Sequence, residues 1–205
     1  MTRYAAVTTF VRAALPAPPA RVLEIGAGTG ELAAVLTDAG YDVVAIDPAG
    51  QSPAVRAVSL HELDEPAASF DAAVAVVSLH HVEPLTESIR RLGELVRPGG
   101  LLIVDEFDVE RFDERAASWQ IEHRGAAGHE SHSDPQALVA DLRGHLHSLD
   151  RILAALGEWF DTSEPVRGAY LYRWELPPEL RDPEEALIAA GRLPATGARF
   201  LGTRH

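Results

Sequence analysis

The chain has 205 residues, 18 basic and 31 acidic, for a formal charge of −13, and it contains no cysteine. That length suits one domain with its own core, and it leaves no disulfide framework, thiolate metal site or cysteine nucleophile. Every basic residue is an arginine, so Schiff-base and P-loop lysines are excluded, and the acidic balance argues against gripping nucleic acid or an anionic membrane.

The start, Met1-Thr2-Arg3-Tyr4, is not a basic segment followed by an apolar stretch, and no apolar run approaches 18 residues. The expectation is a soluble, cytoplasmic protein. A short N-terminal helix ends at an Ala/Pro linker over 13–20, where Pro16, Pro18 and Pro19 prevent its continuation. Arg21 to Ile25 reads as an apolar strand, Thr29 to Ala39 as a helix stopped by Gly40, and Asp42 to Ile46 as a second strand. Val55 to Ser59 is expected to add a short third strand. The valine-rich run Phe70 to Val77 suits a strand buried on both faces. Leu85 to Val96 is amphipathic at helical spacing, and Pro98-Gly99-Gly100 turns into a strand over Leu101 to Val104. Beyond it, 111–124 and 135–156 read as helical, around a polar loop over 125–135. A strand over 159–166, a helix over 184–190 and a strand over 199–202 complete the chain. Strands alternating with helices predict an α/β fold: a parallel sheet with helices on both faces.

The densest chemistry lies in Val22-Leu23-Glu24-Ile25-Gly26-Ala27-Gly28-Thr29-Gly30. A strand runs into alternating glycines, and a helix follows at once. Such glycines allow a tight turn and bring a ligand against the main chain, while the helix N-terminus offers unpaired N–H groups. Asp47 closes the second strand, where a carboxylate accepts hydrogen bonds from ribose hydroxyls, and Pro48 is placed to lie on an adenine. A nicotinamide dinucleotide fingerprint would require a third glycine at position 31, which is Glu31.

The E-x-G-x-G-x-G pattern resembles motif I of class I S-adenosylmethionine-dependent methyltransferases. Ser69-Phe70-Asp71-Ala72-Ala73-Val74, Val77-Ser78-Leu79-His80-His81-Val82 and Arg97-Pro98-Gly99-Gly100-Leu101-Leu102-Ile103 resemble that family's later motifs, in order. The variant is similar to the type 11 methyltransferase-domain group, in a small bacterial member. The resemblance implies a Rossmann-like methyltransferase fold, with a seven-stranded, mostly parallel sheet and one antiparallel strand near an edge. It implies a single domain over 1–205, with a cofactor core at about 20–107 and a substrate-covering insertion at about 107–165. It also implies S-adenosylmethionine as methyl donor and S-adenosylhomocysteine as product. Glu24, Gly26, Ala27 and Gly28 would surround the methionine part, and Asp47 the ribose. Pro48, Leu60 and His61 would flank the adenine, and Ser78 would meet the cofactor near sulfur. Tyr4 is a candidate cover for the methionine carboxylate.

Methyl transfer to a hydroxyl or amine needs alignment and removal of a proton. His80 and His81, at the C-terminal end of a parallel strand, are the first candidates for a base. Glu106 follows the next strand, and His147 sits in an apolar stretch expected to cover the acceptor; both join the candidates. Each has an ordinary alternative: a histidine that props the loop or packs in the core, and a carboxylate that caps a helix. His129-x-x-His132-x-Asp134 and His145-x-His147 invite a metal reading, but no third fixed element converges on them, so no metal site is assigned. Tyr170, Tyr172 and Trp174 alternate, as on a strand face or a pocket wall. The expected activity is O- or N-methylation of a small molecule, with no nucleic-acid or membrane partner; the oligomeric state is not legible. A cofactor-binding domain without transferase activity and a nicotinamide-dependent oxidoreductase are the alternatives.

Overall fold

The computed structural model describes residues 5–126, 134–174 and 176–205. In chain order these form α1 (Ala5–Ala14), β1 (Arg21–Ile25), α2 (Glu31–Asp38), β2 (Asp42–Ile46), β3 (Phe70–Val76), α3 (Leu85–Leu95) and β4 (Val96–Phe107). Then come α4 (Glu114–Ala126), α5 (Pro135–His145), α6 (Leu149–Leu156), β5 (Phe160–Thr162), β6 (Val166–Gly168), α7 (Arg181–Ala189) and β7 (Gly197–Arg204).

The seven strands form one sheet in the order β2-β1-β3-β4-β7-β5, with β6 also pairing to β7. Strands β1 to β4 are mutually parallel, and β7 is antiparallel to β4, β5 and β6. Only β7 therefore opposes the common direction, as expected of the fold. Period-two alternation divides each central strand between two cores. Val22, Val74 and Ile103 face Val7 and Val11 of α1 and Leu36 of α2. Leu23, Ala73, Leu102 and Val104 face the other way, onto Ile89 and Leu92 of α3 and Ile152 and Leu156 of α6. Both faces being covered explains why these strands read as continuous apolar runs.

Several boundaries differ from the sequence reading. Val55–Ser59 forms no strand; a single bridge joins Arg56 to Ile46. The Pro98-Gly99-Gly100 turn lies inside β4, where the register with β3 jumps between Phe70 and Ala72. The helical stretch over 135–156 is two helices, because Ser148 caps α6 with its side chain accepting from the Arg151 N–H. The strand expected over 159–166 is the two short strands β5 and β6. Tyr170, Tyr172 and Trp174 lie on no strand: Leu171–Arg173 is a 3-10 turn. A separate apolar cluster gathers Phe107, Phe112, Trp119, Leu138 and Leu142 with Tyr170, so α4 and α5 back onto the end of β4. No described helix is long and apolar enough to cross a membrane.

Candidate functional site

The glycine loop leaves β1 at the C-terminal edge of the sheet, where open parallel sheets bind ligands. The Gly26 and Ala27 N–H groups both donate to the Ile46 carbonyl at 2.9 Å, tying the loop to the end of β2. Gly26 has φ +70°, and a Cβ there would stand 2.4 Å from the Ser78 Cβ. Any side chain would thus push apart the two loops that meet over the sheet. Asp47 is fixed by its neighbours: Oδ2 accepts from the Gly28 N–H and Oδ1 from the Ala49 N–H, each at 2.9 Å. A carboxylate offers about four acceptor positions, so both oxygens keep capacity for ligand hydroxyls.

Two cavities meet at this edge. The larger, about 500 Å³, is lined by Asp47, Pro48, Leu60, Ser78 and His81. The other, about 370 Å³, is lined by Glu24, Gly28 and Gln51 from the core and by Val7, Thr8, Tyr170 and Arg173 from the two ends of the chain. Gly26 and Val77 belong to both walls. Val77 has φ +52°, a conformation that a β-branched residue adopts only under strain, of about 1–3 kcal/mol. Its N–H donates to the Asp105 carbonyl at 2.8 Å, which helps hold it there.

Four buried polar atoms of residues on these walls have no partner among the described residues: Glu24 Oε2, Ser78 Oγ, and Nε and Nη2 of Arg173. Burial pushes the Glu24 carboxyl up to about 8, against a smaller opposing effect of the Ala33 N–H. A carboxyl on a cavity wall, largely protonated at pH 7 and with one oxygen lacking a donor, suits a cationic ligand group.

His80, Glu106 and His147 take a different place. Glu106 is fully buried and lines neither cavity. Its Oε2 accepts from the Ser78 and Leu79 N–H groups at 3.2 and 2.9 Å, and its Oε1 from the Phe107 N–H at 2.8 Å and from His80 Nδ1. The His147 N–H donates to the His80 carbonyl, and His147 Nε2 donates to the Val82 carbonyl, each at 3.0 Å. His147 lies in the α5–α6 connection rather than within a helix. These three residues therefore clamp the turn over 78–82 from beneath. His81 alone of the four catalytic candidates borders a cavity. Burial, and then the neighbouring His80 ring centred 4.2 Å away, push its imidazole down to about 4, so it is neutral at pH 7. Leu60 is buried on the larger cavity wall, whereas His61 beside it does not line that wall.

Sequence reasoning missed Arg173 and Glu184. Val7 and Thr8 reach the smaller cavity from α1. Glu184 of α7 is fully buried and accepts from the Tyr170, Leu171 and Tyr172 N–H groups at 2.8–2.9 Å. It thereby fixes the turn that presents Tyr170 and Arg173. Tyr170 stacks on Phe107 with ring centroids 4.8 Å apart. Trp174 packs tilted against Phe107 and Phe112. Tyr4, His129 and His132 lie outside the described residues. His145 Nδ1 bonds to the Asp141 carbonyl, away from His147, and no group of three potential metal ligands gathers among the described residues.

The chain matches the family described as a methyltransferase domain over residues 2–160. It is 38% identical over 96 residues to the ubiquinone biosynthesis O-methyltransferase of Methylocella silvestris, a match covering 40% of this chain and 38% of that relative. The fold is shared with an S-adenosylmethionine-dependent methyltransferase from Mesorhizobium loti (TM-score 0.64, 16% identity, 99% and 98% of the two chains). It is shared too with the Burkholderia thailandensis 1,6-didemethyltoxoflavin-N1-methyltransferase, solved with that substrate and S-adenosylhomocysteine (TM-score 0.56, 18% identity, 99% and 78%). With a family match over well more than half its length, laid on the sheet and glycine loop described above, the chain belongs to the methyltransferase-domain family.

Proposed function

We propose that this chain transfers a methyl group from S-adenosylmethionine to an oxygen or nitrogen of a small-molecule acceptor. The observation that carries the reading is the pair of cavities joined at Gly26 and Val77, one holding the fixed Asp47 carboxylate and the other the Glu24 carboxyl with its unpartnered Oε2. A ligand with a ribose diol at one end and an ammonium at the other satisfies both. The unpaired Ser78 hydroxyl and the side-chain-free Gly26 lie between them, which fits the narrow middle of such a ligand. When bound, the cofactor supplies a methyl group on a sulfonium that is already a good leaving group.

The residues of this chain bind and align. Asp47 takes the ribose hydroxyls, its oxygens pre-oriented by the Gly28 and Ala49 N–H groups. Pro48 and Leu60 flank the adenine. Glu24, with Gly26, Ala27 and Gly28, surrounds the amino-acid end and ionises as it meets the ammonium. Val77 forms the neck, and Tyr170 closes the opposite wall. His81 is the candidate proton acceptor, since its neutral ring faces a cavity at working pH. His80, Glu106 and His147 are positioning residues that hold the turn carrying Ser78 and His81. The insertion over 107–165 serves the acceptor side by backing Phe107 and Tyr170. The acidic chain favours a small acceptor over nucleic acid.

A screen of hydroxy- and amino-aromatic acceptors, read by mass as a gain of one methyl group, tests the reading. Product with wild type and none with Asp47→Ala supports it. No product from any acceptor, in protein that binds S-adenosylhomocysteine, would confine the chain to cofactor binding.

A further inference from the structure

Arg173 carries a feature that the cofactor reading leaves unused. It is 92% buried by its 8% relative exposure, and it lies on the wall of the smaller cavity. Its Nη1 donates to Asp105 Oδ1, and Asp105 Oδ2 is taken by Arg199 Nε. One buried carboxylate is thus shared between two guanidinium groups, which leaves a net positive charge. Nε and Nη2 of Arg173 have no partner among the described residues. These two N–H groups lie along one edge of the planar guanidinium, spaced to meet both oxygens of a carboxylate. The Tyr170 ring, with the guanidinium carbon 5.4 Å from its centroid, and the Asp105 pair hold that edge in place. Glu184 fixes the backbone from which both residues project. A buried cation edge left without an acceptor is costly, and a ligand anion in the adjoining cavity removes that cost.

We propose that Arg173 is a carboxylate receptor of the smaller cavity, engaging a ligand carboxylate through Nε and Nη2. The proposal rests on the cofactor reading, because two ligands can bring that carboxylate there: the amino-acid end of the cofactor, or the acceptor. On the first, Glu24 and Arg173 together read a zwitterion across one cavity. On the second, the acceptor is an acid, and Arg173 selects it.

The test compares wild type, Arg173→Gln and Arg173→Lys by calorimetric titration with S-adenosylhomocysteine and with its decarboxylated analogue, which keeps the ammonium. If the carboxylate belongs to the cofactor, wild type prefers S-adenosylhomocysteine at least tenfold. Arg173→Gln then loses that preference while binding the analogue as wild type does. If it belongs to the acceptor, the preference is the same in all three proteins. In protein saturated with S-adenosylhomocysteine, 4-hydroxybenzoate then raises the melting temperature of wild type but not of Arg173→Gln, and phenol raises neither. Arg173→Lys keeps the charge and the Asp105 pair but not the edge, and it carries the same comparisons should the glutamine variant fail to fold. Identical discrimination and identical 4-hydroxybenzoate response in wild type and a folded variant would overturn the proposal alone. Failure of wild type to bind S-adenosylhomocysteine would overturn the cofactor reading, and the proposal with it.

Discussion

Two turns at the same edge of the sheet are built alike, yet they stand in different relations to the site. The turn after β3 and the turn before Arg173 each begin at a residue with nearly the same backbone angles, Ser78 at −133°, −35° and Tyr170 at −138°, −36°. Each is held by one fully buried glutamate that accepts from successive N–H groups: Glu106 beneath the first, Glu184 beneath the second. Glu106 also engages His80 and is linked through it to His147, so the first turn sits in a wider network. Glu184 has the backbone alone, and burial pushes its carboxyl up despite those three donors. Glu24 completes the contrast as a buried carboxylate with one oxygen that has no described donor at all. Clamping carboxylates need no ligand; the one facing a cavity does.

The comparison breaks first at Glu106. Glu106→Gln sets an amide N–H against backbone donors that now meet oxygen, a loss expected at about 3 kcal/mol. For a chain of this size that is a fall of about 6–12 °C in melting temperature. Affinity for S-adenosylhomocysteine should fall too, because Ser78 and His81 move with the turn. Glu184→Gln is expected to cost about 2 kcal/mol, fewer groups being linked to it. Methylthioadenosine, which lacks the amino-acid end, should bind that variant as it binds wild type. An equal loss of methylthioadenosine binding in both variants would erase the distinction between the turns.

Glu24 supplies the pH dependence. Its carboxyl titrates near 8 in the folded chain and near 4.5 when unfolded, so the folded state holds the extra proton between those values. Ligand-free stability from this group is therefore full below pH 4.5 and lost as pH rises through about 8. Glu24→Gln, which cannot ionise, should be more stable than wild type at pH 9, by about 4 kcal/mol, and match it at pH 5. Thermal melts at the two pH values check this. The smallest effect concerns binding. Ionised Glu24 favours a cationic ligand, so affinity for S-adenosylhomocysteine should rise by about tenfold or less between pH 6 and pH 8 in wild type, and stay flat in Glu24→Gln. His81 does not oppose this trend, since it remains neutral throughout that range.

What the sequence revealed follows from how local each feature is. The strand, the glycines and Asp47 lie within one βαβ unit, and chain order alone brings them together. The clamp of Glu106 on Ser78 was harder to see. Asp105 and Glu106 are neighbours on opposite faces of β4, and composition does not say which face carries the cavity. The structure puts Asp105 with Arg173 and Arg199 and turns Glu106 under the loop. Tyr170, Tyr172 and Trp174 alternate in sequence as residues of one strand face do, yet the chain between them is a 3-10 turn. Arg173 was hidden among them. Its meaning depends on partners far away in sequence, Asp105 and the glycine-loop cavity, and no periodicity records such a meeting.

The most direct test of the two-cavity account is calorimetric titration of wild type and Asp47→Ala with S-adenosylhomocysteine. The account predicts micromolar binding by wild type, weakened at least a hundredfold in the variant, with both proteins folded. Equal affinity in the two would contradict the placement of the ribose on Asp47, and no binding by folded wild type would contradict the cofactor site itself.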